Sequence, residues 1–417
     1  MMFKKLFIFS LTLVSLLNNV YAQQIFSISP LNIIGGKGDV LTISGSSFGE
    51  VRNSSYVSFY NEQGTYTDAD ISRNFKYISW SDSEIKIEMP VAYSNKIKVI
   101  KGENSVESSE VLKVMANLSY RNVNPLTYDL NIDRNGSGGI TWYVHPTYWD
   151  NPEIRKAIAD VVIEFRCKTG VNYVIERLNE EVPLSLAEGK HIISPDENLE
   201  IVGYNARQWS SCILGSETFY YNETQLLQFD TDVTWFYGKG QAPEGTSKFR
   251  YVLFHEMGHS LGLGHVNEEG QSMYPSVNFL PSDNWSARDV ITDAEETAIE
   301  HFVNLCQNFS FRACNINPMK AIENCEAVYG QKATLEFLEN QSASVVFPNP
   351  TMGTFYFEVN NILIGEKYYV FSSLGREVLN GLIEEKKTIV FLDSLPTGIY
   401  FLRLGNNLNQ TIKVIKN

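Results

Sequence analysis

Length, composition and charge narrow the range of functions before any motif is considered. A chain of 417 residues is too long for one ordinary hydrophobic core, so roughly two to four domains are expected. With 43% hydrophobic and 20% charged residues, the composition is that of ordered, soluble domains. The formal net charge of −14 argues against nucleic acid as a partner, and the sequence contains no cluster of Lys and Arg.

Residues 1–22 have the pattern of a secretory signal peptide. Lys4 and Lys5 precede an apolar run at residues 6–17, and Val20-Tyr21-Ala22 offers a small-residue cleavage site. About twelve apolar residues are too few to span a bilayer, and no later segment is long enough. We therefore expect an exported mature protein without a transmembrane segment.

Residues 23–116 are expected to form an all-β, immunoglobulin-like sandwich. Short strand-forming runs, such as residues 40–43 and 85–88, are separated by turn residues. Residues 28–49 and 78–83 resemble the corresponding segments of an IPT/TIG domain. This part of the chain has no catalytic motif, and it is either a spacer or a ligand-binding module. We favour the spacer.

The next domain, expected at residues 117–330, mixes α and β structure. Residues 140–144 form a predicted strand, and Asn151 followed by Pro152 is a typical helix start. Gly170 is a typical helix stop, and residues 172–175 form a second predicted strand.

Three histidines and a glutamate lie within residues 255–265, which read HEMGHSLGLGH. On a helix, His255 and His259 lie on one face one turn apart, so they are able to share a metal ion. His265 would lie far round a continuing helix, but Gly262 is able to adopt a positive φ and turn the chain back. The alternative is a core helix with structural histidines, which would rarely produce this spacing. Three His ligands with an open fourth position are typical of a catalytic zinc site.

This spacing resembles the metzincin signature. The order of elements at the start of the domain, a strand, a long helix and a strand, is also similar to that of metzincins. Residues 229–235 and Met273 resemble matrixins in particular. The resemblance implies an α+β catalytic domain in which Met273 forms the Met-turn beneath the metal. It also implies that His255, His259 and His265 bind zinc and that Glu256 is the general base.

The sequence departs from the matrixin pattern at three positions. Gln228 stands where matrixins have a ligand of a structural zinc ion, and Val233 stands where they have a calcium-binding Glu. Val266 follows the third His, where matrixins usually have Ser. We therefore expect one catalytic zinc ion, and we leave calcium as a possibility through Asp230 and Asp232.

The resemblance also suggests how a peptide would bind. An extended substrate should pair with an edge strand of the sheet, for which residues 212–220 are our candidate. Pro275, Ser276 and Val277, which follow the Met-turn, are expected to form the wall of the substrate pocket. The remaining histidines lack ligand spacing and are interpreted as structural: His145, His191 and His301.

A capping box, Thr292 to Glu295, predicts a helix that closes the domain. The five cysteines are able to form disulfides in an oxidising compartment, and their odd number leaves at least one free or paired elsewhere. Sequence leaves their connectivity open: Cys167, Cys212, Cys306, Cys314 and Cys325.

Residues 343–417, after a linker at 331–342, are again expected to be an all-β sandwich. Residues 347–351, 375–378 and 395–404 resemble the C-terminal sorting domain of the Bacteroidetes type IX secretion system. The resemblance implies that this secretion machinery is a partner. A carbohydrate-binding module is the alternative.

Together these features predict a multidomain protein, with an α+β metzincin-like catalytic domain flanked by two all-β immunoglobulin-like sandwiches. The predicted function is that of a secreted or cell-surface-attached, monomeric zinc endopeptidase acting on extracellular proteins, including extracellular matrix. Glu256 would act as general base on a zinc-activated water. The alternative, from another functional class, is a catalytically inactive metzincin-like adhesion protein. Because the three His and Glu256 are all present, we favour the enzyme.

Overall fold

A computed structural model describes the fold for most of the chain. The described residues are 22–68, 76–119, 130–133, 136, 138–179, 189–214, 217–238, 242–275, 290–309, 317–330, 346–359, 367–385, 387–404 and 411–417. They contain 25 strands and four helices, so the protein is mostly β. No helix among these residues is long and apolar enough to cross a membrane. The predicted signal peptide, apart from Ala22, lies outside the described residues.

The N-terminal β domain begins the described chain. Its strands are β1 (Gln24–Ser29), β2 (Asn32–Gly35), β3 (Val40–Ser46), β4 (Tyr56–Tyr60), β5 (Tyr66–Asp68), β6 (Tyr77–Trp80), β7 (Glu84–Glu88), β8 (Tyr93–Lys101), β9 (Asn104–Glu107) and β10 (Lys113–Leu118). Two four-stranded antiparallel sheets have the orders β1-β3-β7-β6 and β5-β4-β8-β9. Successive side chains of a strand point to opposite faces, so Leu41 and Ile43 of β3 are buried while their neighbours are more exposed.

The central domain mixes helices and strands. Its elements are β11 (Ile140–Val144), α1 (Pro146–Trp149), α2 (Pro152–Thr169), β12 (Tyr173–Arg177), β13 (His191–Asp196), β14 (Gly203–Leu214), β15 (Glu217–Asp230), β16 (Trp235–Phe236), β17 (Ser247–Lys248), α3 (Phe249–Ser260), β18 (Leu263–Gly264) and α4 (Asp293–Asn308). Five strands form one sheet in the order β12-β11-β13-β15-β14. The first four are parallel, and β14 is an antiparallel edge strand.

Helix α2 confirms the strand–helix–strand prediction. The Asn151 side chain accepts hydrogen bonds from two backbone N–H groups of the first turn, Pro152 occupies the start, and Gly170 ends the helix at φ 72°. The apolar face of the helix packs in the core. A disulfide between Cys167 and Cys325 ties the last turn of α2 to the segment after α4.

The C-terminal β domain has a core of its own, built around residues such as Phe355, Val370 and Leu402. Its strands are β19 (Val346–Phe347), β20 (Thr354–Glu358), β21 (Lys367–Ser372), β22 (Glu377–Leu382), β23 (Lys387–Phe391), β24 (Gly398–Leu404) and β25 (Thr411–Lys416). They form two antiparallel sheets with the orders β19-β20-β23 and β22-β21-β24-β25.

The N-terminal β domain and the central domain share one hydrophobic core. A single cluster of buried side chains runs from Ile28 to Val328. In addition, β10 pairs with β2 on one side and with β18 of the central domain on the other. The N-terminal β domain therefore packs directly against the central domain, and the choice between a spacer and a ligand-binding module stays a prediction.

Candidate metal centre

Helix α3 and the turn after it bring the three predicted ligands together. The helix ends at Ser260, and Gly262 adopts a φ of 79°, as predicted, so that the chain reverses through β18 to His265. The ligand nitrogens of His255, His259 and His265 then all lie within 4.8 Å of one another. Among the described residues, this is the one group of three or more His, Cys, Asp or Glu side chains that could hold a metal ion.

Each of the three rings has a hydrogen-bond partner at Nδ1, on the side away from the shared centre. The Nδ1 atom of His255 lies 2.8 Å from the carbonyl oxygen of Ser272, and that of His259 lies 2.9 Å from the carbonyl oxygen of Leu263. The Nδ1 atom of His265 lies 2.7 Å from Oε1 of Glu62 in the N-terminal β domain. An Nδ1–H that donates to an oxygen leaves the Nε2 lone pair available for a metal.

The spacing of the Nε2 atoms fits a zinc ion. The Nε2 atoms of His255 and His265 are 3.2 Å apart. Zinc–nitrogen distances of about 2.0–2.1 Å at tetrahedral angles separate ligand nitrogens by roughly 3.3 Å. Two lone pairs directed at the same point repel each other unless a cation lies between them. The donor set and the Nδ1 partners therefore fit zinc.

Desolvation keeps two of these imidazoles in the form that binds metal. Burial lowers the pKa of His255 to about 4. The pKa of His259 is well below its ordinary value, first because of burial and then because of the neighbouring His255. Metal ligation requires neutral imidazole, so both side chains are ready to bind a cation at neutral pH.

Glu256 lies beside the three histidines, and it is only 6% exposed. Burial raises its pKa to about 8, while the charge of Arg207 acts in the opposite direction. A cation at the histidine centre would favour the carboxylate form further. The position suits a group that takes up and releases a proton.

The edge strand β14 forms one side of a cleft of about 560 Å³ above this cluster. Asn205 donates to the carbonyl oxygen of Glu256 at 3.0 Å, and Arg207 donates to that of His259 at 3.2 Å. Tyr274 and Pro275 also line the cleft. The segment that we proposed as the edge strand, residues 212–220, contains only the last three residues of β14 and continues into β15 at the far end of their hairpin.

Sequence reasoning did not identify Asn205 and Arg207 as cleft residues. The available signal was the two-residue alternation of a strand, which places both side chains on one face. Of the three predicted pocket residues, Pro275 lines the cleft, whereas Ser276 and Val277 lie outside the described residues.

The segment containing Met273 packs directly beneath the helix. Met273 is fully buried, and a Cβ added at Gly258 would lie 2.4 Å from its Sδ atom. Glu295 fixes the position of this segment, because its Oε1 accepts hydrogen bonds from Ser272 Oγ at 2.8 Å and from Met273 N at 3.1 Å. The predicted capping box of α4 is confirmed. The additional contact of Glu295 with Ser272 and Met273 was not predicted from the sequence.

The remaining predicted groups take no part in the cluster. His145 caps α1, His191 packs against Trp142, and His301 lies on α4. Calcium is not supported, because Asp230 accepts the N–H of Asp232 within its own loop and no acidic cluster occurs among the described residues.

The cysteine pattern is partly resolved by the structure. Cys167 and Cys325 are paired, Cys212 is also in a disulfide, and Cys306 is free and buried. Cys314 lies outside the described residues.

Three parts of the chain match family models. Residues 210–295 match Matrixin, the family Peptidase_M10. Residues 24–113 match the IPT/TIG domain, and residues 345–417 match the secretion system C-terminal sorting domain. These matches confirm the resemblance found from the sequence for all three parts. The matrixin domain indicates a metalloprotease, and the sorting domain indicates export to the cell surface or the medium by type IX secretion.

More distant comparisons add little. A comparison with curated proteins gives no match. A structural genomics protein of unknown function from Bacteroides thetaiotaomicron is 17% identical, with a TM-score of 0.21, over 25% of this chain and 24% of that one. A crystal structure of domains CD is 25% identical, with a TM-score of 0.18, over 22% of this chain and 33% of that one. The chain thus spans a third or less of these proteins, and neither likeness informs the fold.

Proposed function

We propose that the protein is a secreted, zinc-dependent endopeptidase of matrixin type. In this proposal His255, His259 and His265 bind one catalytic zinc ion, and Glu256 is the general base. The observation that carries it is the convergence of three imidazoles, each with Nδ1 engaged by an oxygen and Nε2 directed inward, beside a buried carboxyl group. The matrixin match over residues 210–295 supports the same function.

A zinc ion bound by this triad supplies a Lewis acid that polarises the scissile carbonyl and acidifies water. Glu256 takes a proton from the attacking water at a carboxylate oxygen and passes it to the leaving amine. Gly203 allows β14 to lie close to the helix that carries Glu256, because a Cβ at Gly203 would lie 2.5 Å from Cγ1 of Val252. Met273 forms the apolar floor beneath the histidines.

An extended peptide pairs with the edge of β14 near residues 203–207 and lies across the histidines. Asn205 and Arg207 fix this strand to α3 through the carbonyl oxygens of Glu256 and His259. The distance between the substrate backbone and the base is thereby set. Pro275, Ser276 and Val277 form the pocket wall in this proposal.

We divide the chain into a signal peptide at 1–22, an N-terminal β domain at 23–116, a protease domain at 117–330, a linker at 331–342 and a sorting domain at 343–417. The substrates are extracellular proteins, and the enzyme acts as a monomer. The grouping of the three histidines and Glu256 at one cleft supports the enzyme over an inactive adhesion protein.

Metal analysis of the purified full-length protein tests the proposal first. We expect one zinc ion per chain in the wild type and in H301A, whose histidine lies outside the cluster, and a large loss in H259A. A peptide-library digest then tests endopeptidase activity. A protein that binds no zinc, or that binds zinc and cleaves no peptide in the library, would contradict the proposal.

A further inference from the structure

The turn that contains His265 is held by the N-terminal β domain. Strand β18 pairs antiparallel with β10, so that Leu263 and Gly264 lie opposite Leu118 and Asn117. The N–H of Ser119 donates to the carbonyl oxygen of Gly262 at 2.7 Å. The backbone between the end of α3 and the third histidine is thus paired with a strand from more than 140 positions earlier in the chain.

Side chains strengthen this attachment on both sides of His265. The fully buried Asn117 donates from Nδ2 to the carbonyl oxygen of His265 at 2.8 Å and to that of Ala92 at 2.8 Å. The Asn267 side chain accepts from the N–H of Ser94 at 2.7 Å and donates to its carbonyl oxygen at 3.0 Å. The backbone of this turn is therefore fixed before any metal binds.

The imidazole of His265 is oriented by a carboxylate from the same domain. Glu62 lies in the turn between β4 and β5, which closes through hydrogen bonds from Thr65 and Gly64 to Asn61 and has Gly64 at a φ of 75°. Its Oε1 is 2.7 Å from Nδ1 of His265. The side chain of His265 is 27% exposed, so packing alone constrains this ring incompletely.

His265 differs in this respect from the other two histidines. Both of those use backbone carbonyl oxygens of the central domain itself, at Ser272 and Leu263. A carboxylate at Nδ1 fixes the tautomer that directs Nε2 to the metal, and it makes that nitrogen a better donor.

We propose that the N-terminal β domain is a structural part of the zinc centre, and that Glu62 is a positioning residue for His265. This inference rests on the proposed zinc site and extends it. The described residues of the domain supply no zinc ligand, but the domain sets the position of the turn through β10 and the orientation of the third ligand through Glu62.

Zinc affinity of full-length variants, measured by competition with a chromophoric chelator, tests the role of Glu62. Loss of a partner at the far nitrogen of a ligating histidine typically lowers metal affinity about 10–100-fold, and we expect this for E62A. E62Q keeps the size of the side chain and a neutral acceptor oxygen, so its affinity should lie between those of E62A and the wild type.

E103A and E103Q are the matched controls, because Glu103 lies at the β8–β9 turn of the same domain. Tyr93, at the other end of β8, pairs with Tyr60 next to the Glu62 turn. The two ends of this nine-residue strand are eight residue steps apart, which is about 26 Å. The controls should bind zinc with wild-type affinity.

The melting temperature of the metal-free protein separates positioning from a merely structural role. A half-exposed hydrogen bond between a carboxylate and a neutral imidazole adds little to stability, so metal-free E62A should melt at the same temperature as the wild type while its zinc affinity falls. If E62A does not fold, the zinc affinity of E62Q compared with that of E103Q tests the role of Glu62. Wild-type zinc affinity in the Glu62 variants would overturn the inference. Because this assay needs no cleavage, an inactive protein that binds zinc would contradict the proposed function and leave this inference standing.

Discussion

Substitution of Gly258 by Ala tests the contact between the metal-binding helix and Met273. The new Cβ would lie 2.4 Å from Met273 Sδ and 3.5 Å from Leu263 Cδ1. Alanine raises helix propensity by about 1 kcal/mol, but overpacking a buried site typically costs about 1–3 kcal/mol. We therefore expect G258A to lower the free energy of unfolding by about 0–2 kcal/mol.

A double-mutant cycle isolates the steric part of this effect. Met273 is fully buried, so M273A alone should cost about 2–5 kcal/mol through the cavity it leaves. In the M273A background the clash is absent, and G258A should instead stabilise by about 1 kcal/mol. The coupling between the two sites is then about 1–3 kcal/mol. Urea unfolding followed by tryptophan fluorescence measures all four proteins.

The sign of the change in the free energy of unfolding caused by G258A shows whether Met273 presses on the helix. If G258A stabilises the wild type by about 1 kcal/mol, and does so equally in the M273A background, then Met273 does not press on the helix. The account of the floor beneath the three histidines would then be wrong.

Three further predictions concern the support of the site. C325S should lower the free energy of unfolding by about 2–5 kcal/mol, and C167S/C325S should equal it, because both remove one bridge; additive losses would contradict this. E295A should lower the free energy of unfolding by about 2–4 kcal/mol in the same assay, since it leaves the buried donors of Ser272 and Met273 without their acceptor. E300A, on the exposed face of α4, is the control. Equal effects of E295A and E300A would count against the contact. In the metal-free protein, the folded state holds a proton on Glu256 up to a pKa of about 8, whereas the unfolded state releases it at the ordinary carboxyl pKa. Stability of the wild type relative to E256Q should therefore fall as pH rises from about 5 to 8, and a pH-independent difference would contradict the burial of this carboxyl.

Local features of the site were predictable from the sequence because their rules act over a few residues. The caps of α2 at Asn151 and Gly170 follow from the chemistry of helix ends, and the structure confirms them. The reversal at Gly262 follows from the need to bring a third histidine back to a helix face. The Thr292 capping box follows in the same way.

Features that depend on distant pairing were not predictable. Glu62 and His265 are 203 positions apart, and nothing near either residue indicates the other. The part of β14 that lines the cleft was not predicted, because the register of β14 is set by its long pairing with β15, which includes a bulge after Gln208. From the sequence, Gly258 is only a residue of low helix propensity, and its close approach to Met273 is visible only in the structure.

Peptide hydrolysis by E256Q is the most direct test of the central claim. Glutamine keeps the size of the side chain but cannot accept the proton of the attacking water. We predict that E256Q retains one zinc ion per chain, while kcat/KM on a peptide cleaved by the wild type falls by at least about 100-fold. A zinc-loaded E256Q enzyme as active as the wild type would contradict the assignment of Glu256 as general base.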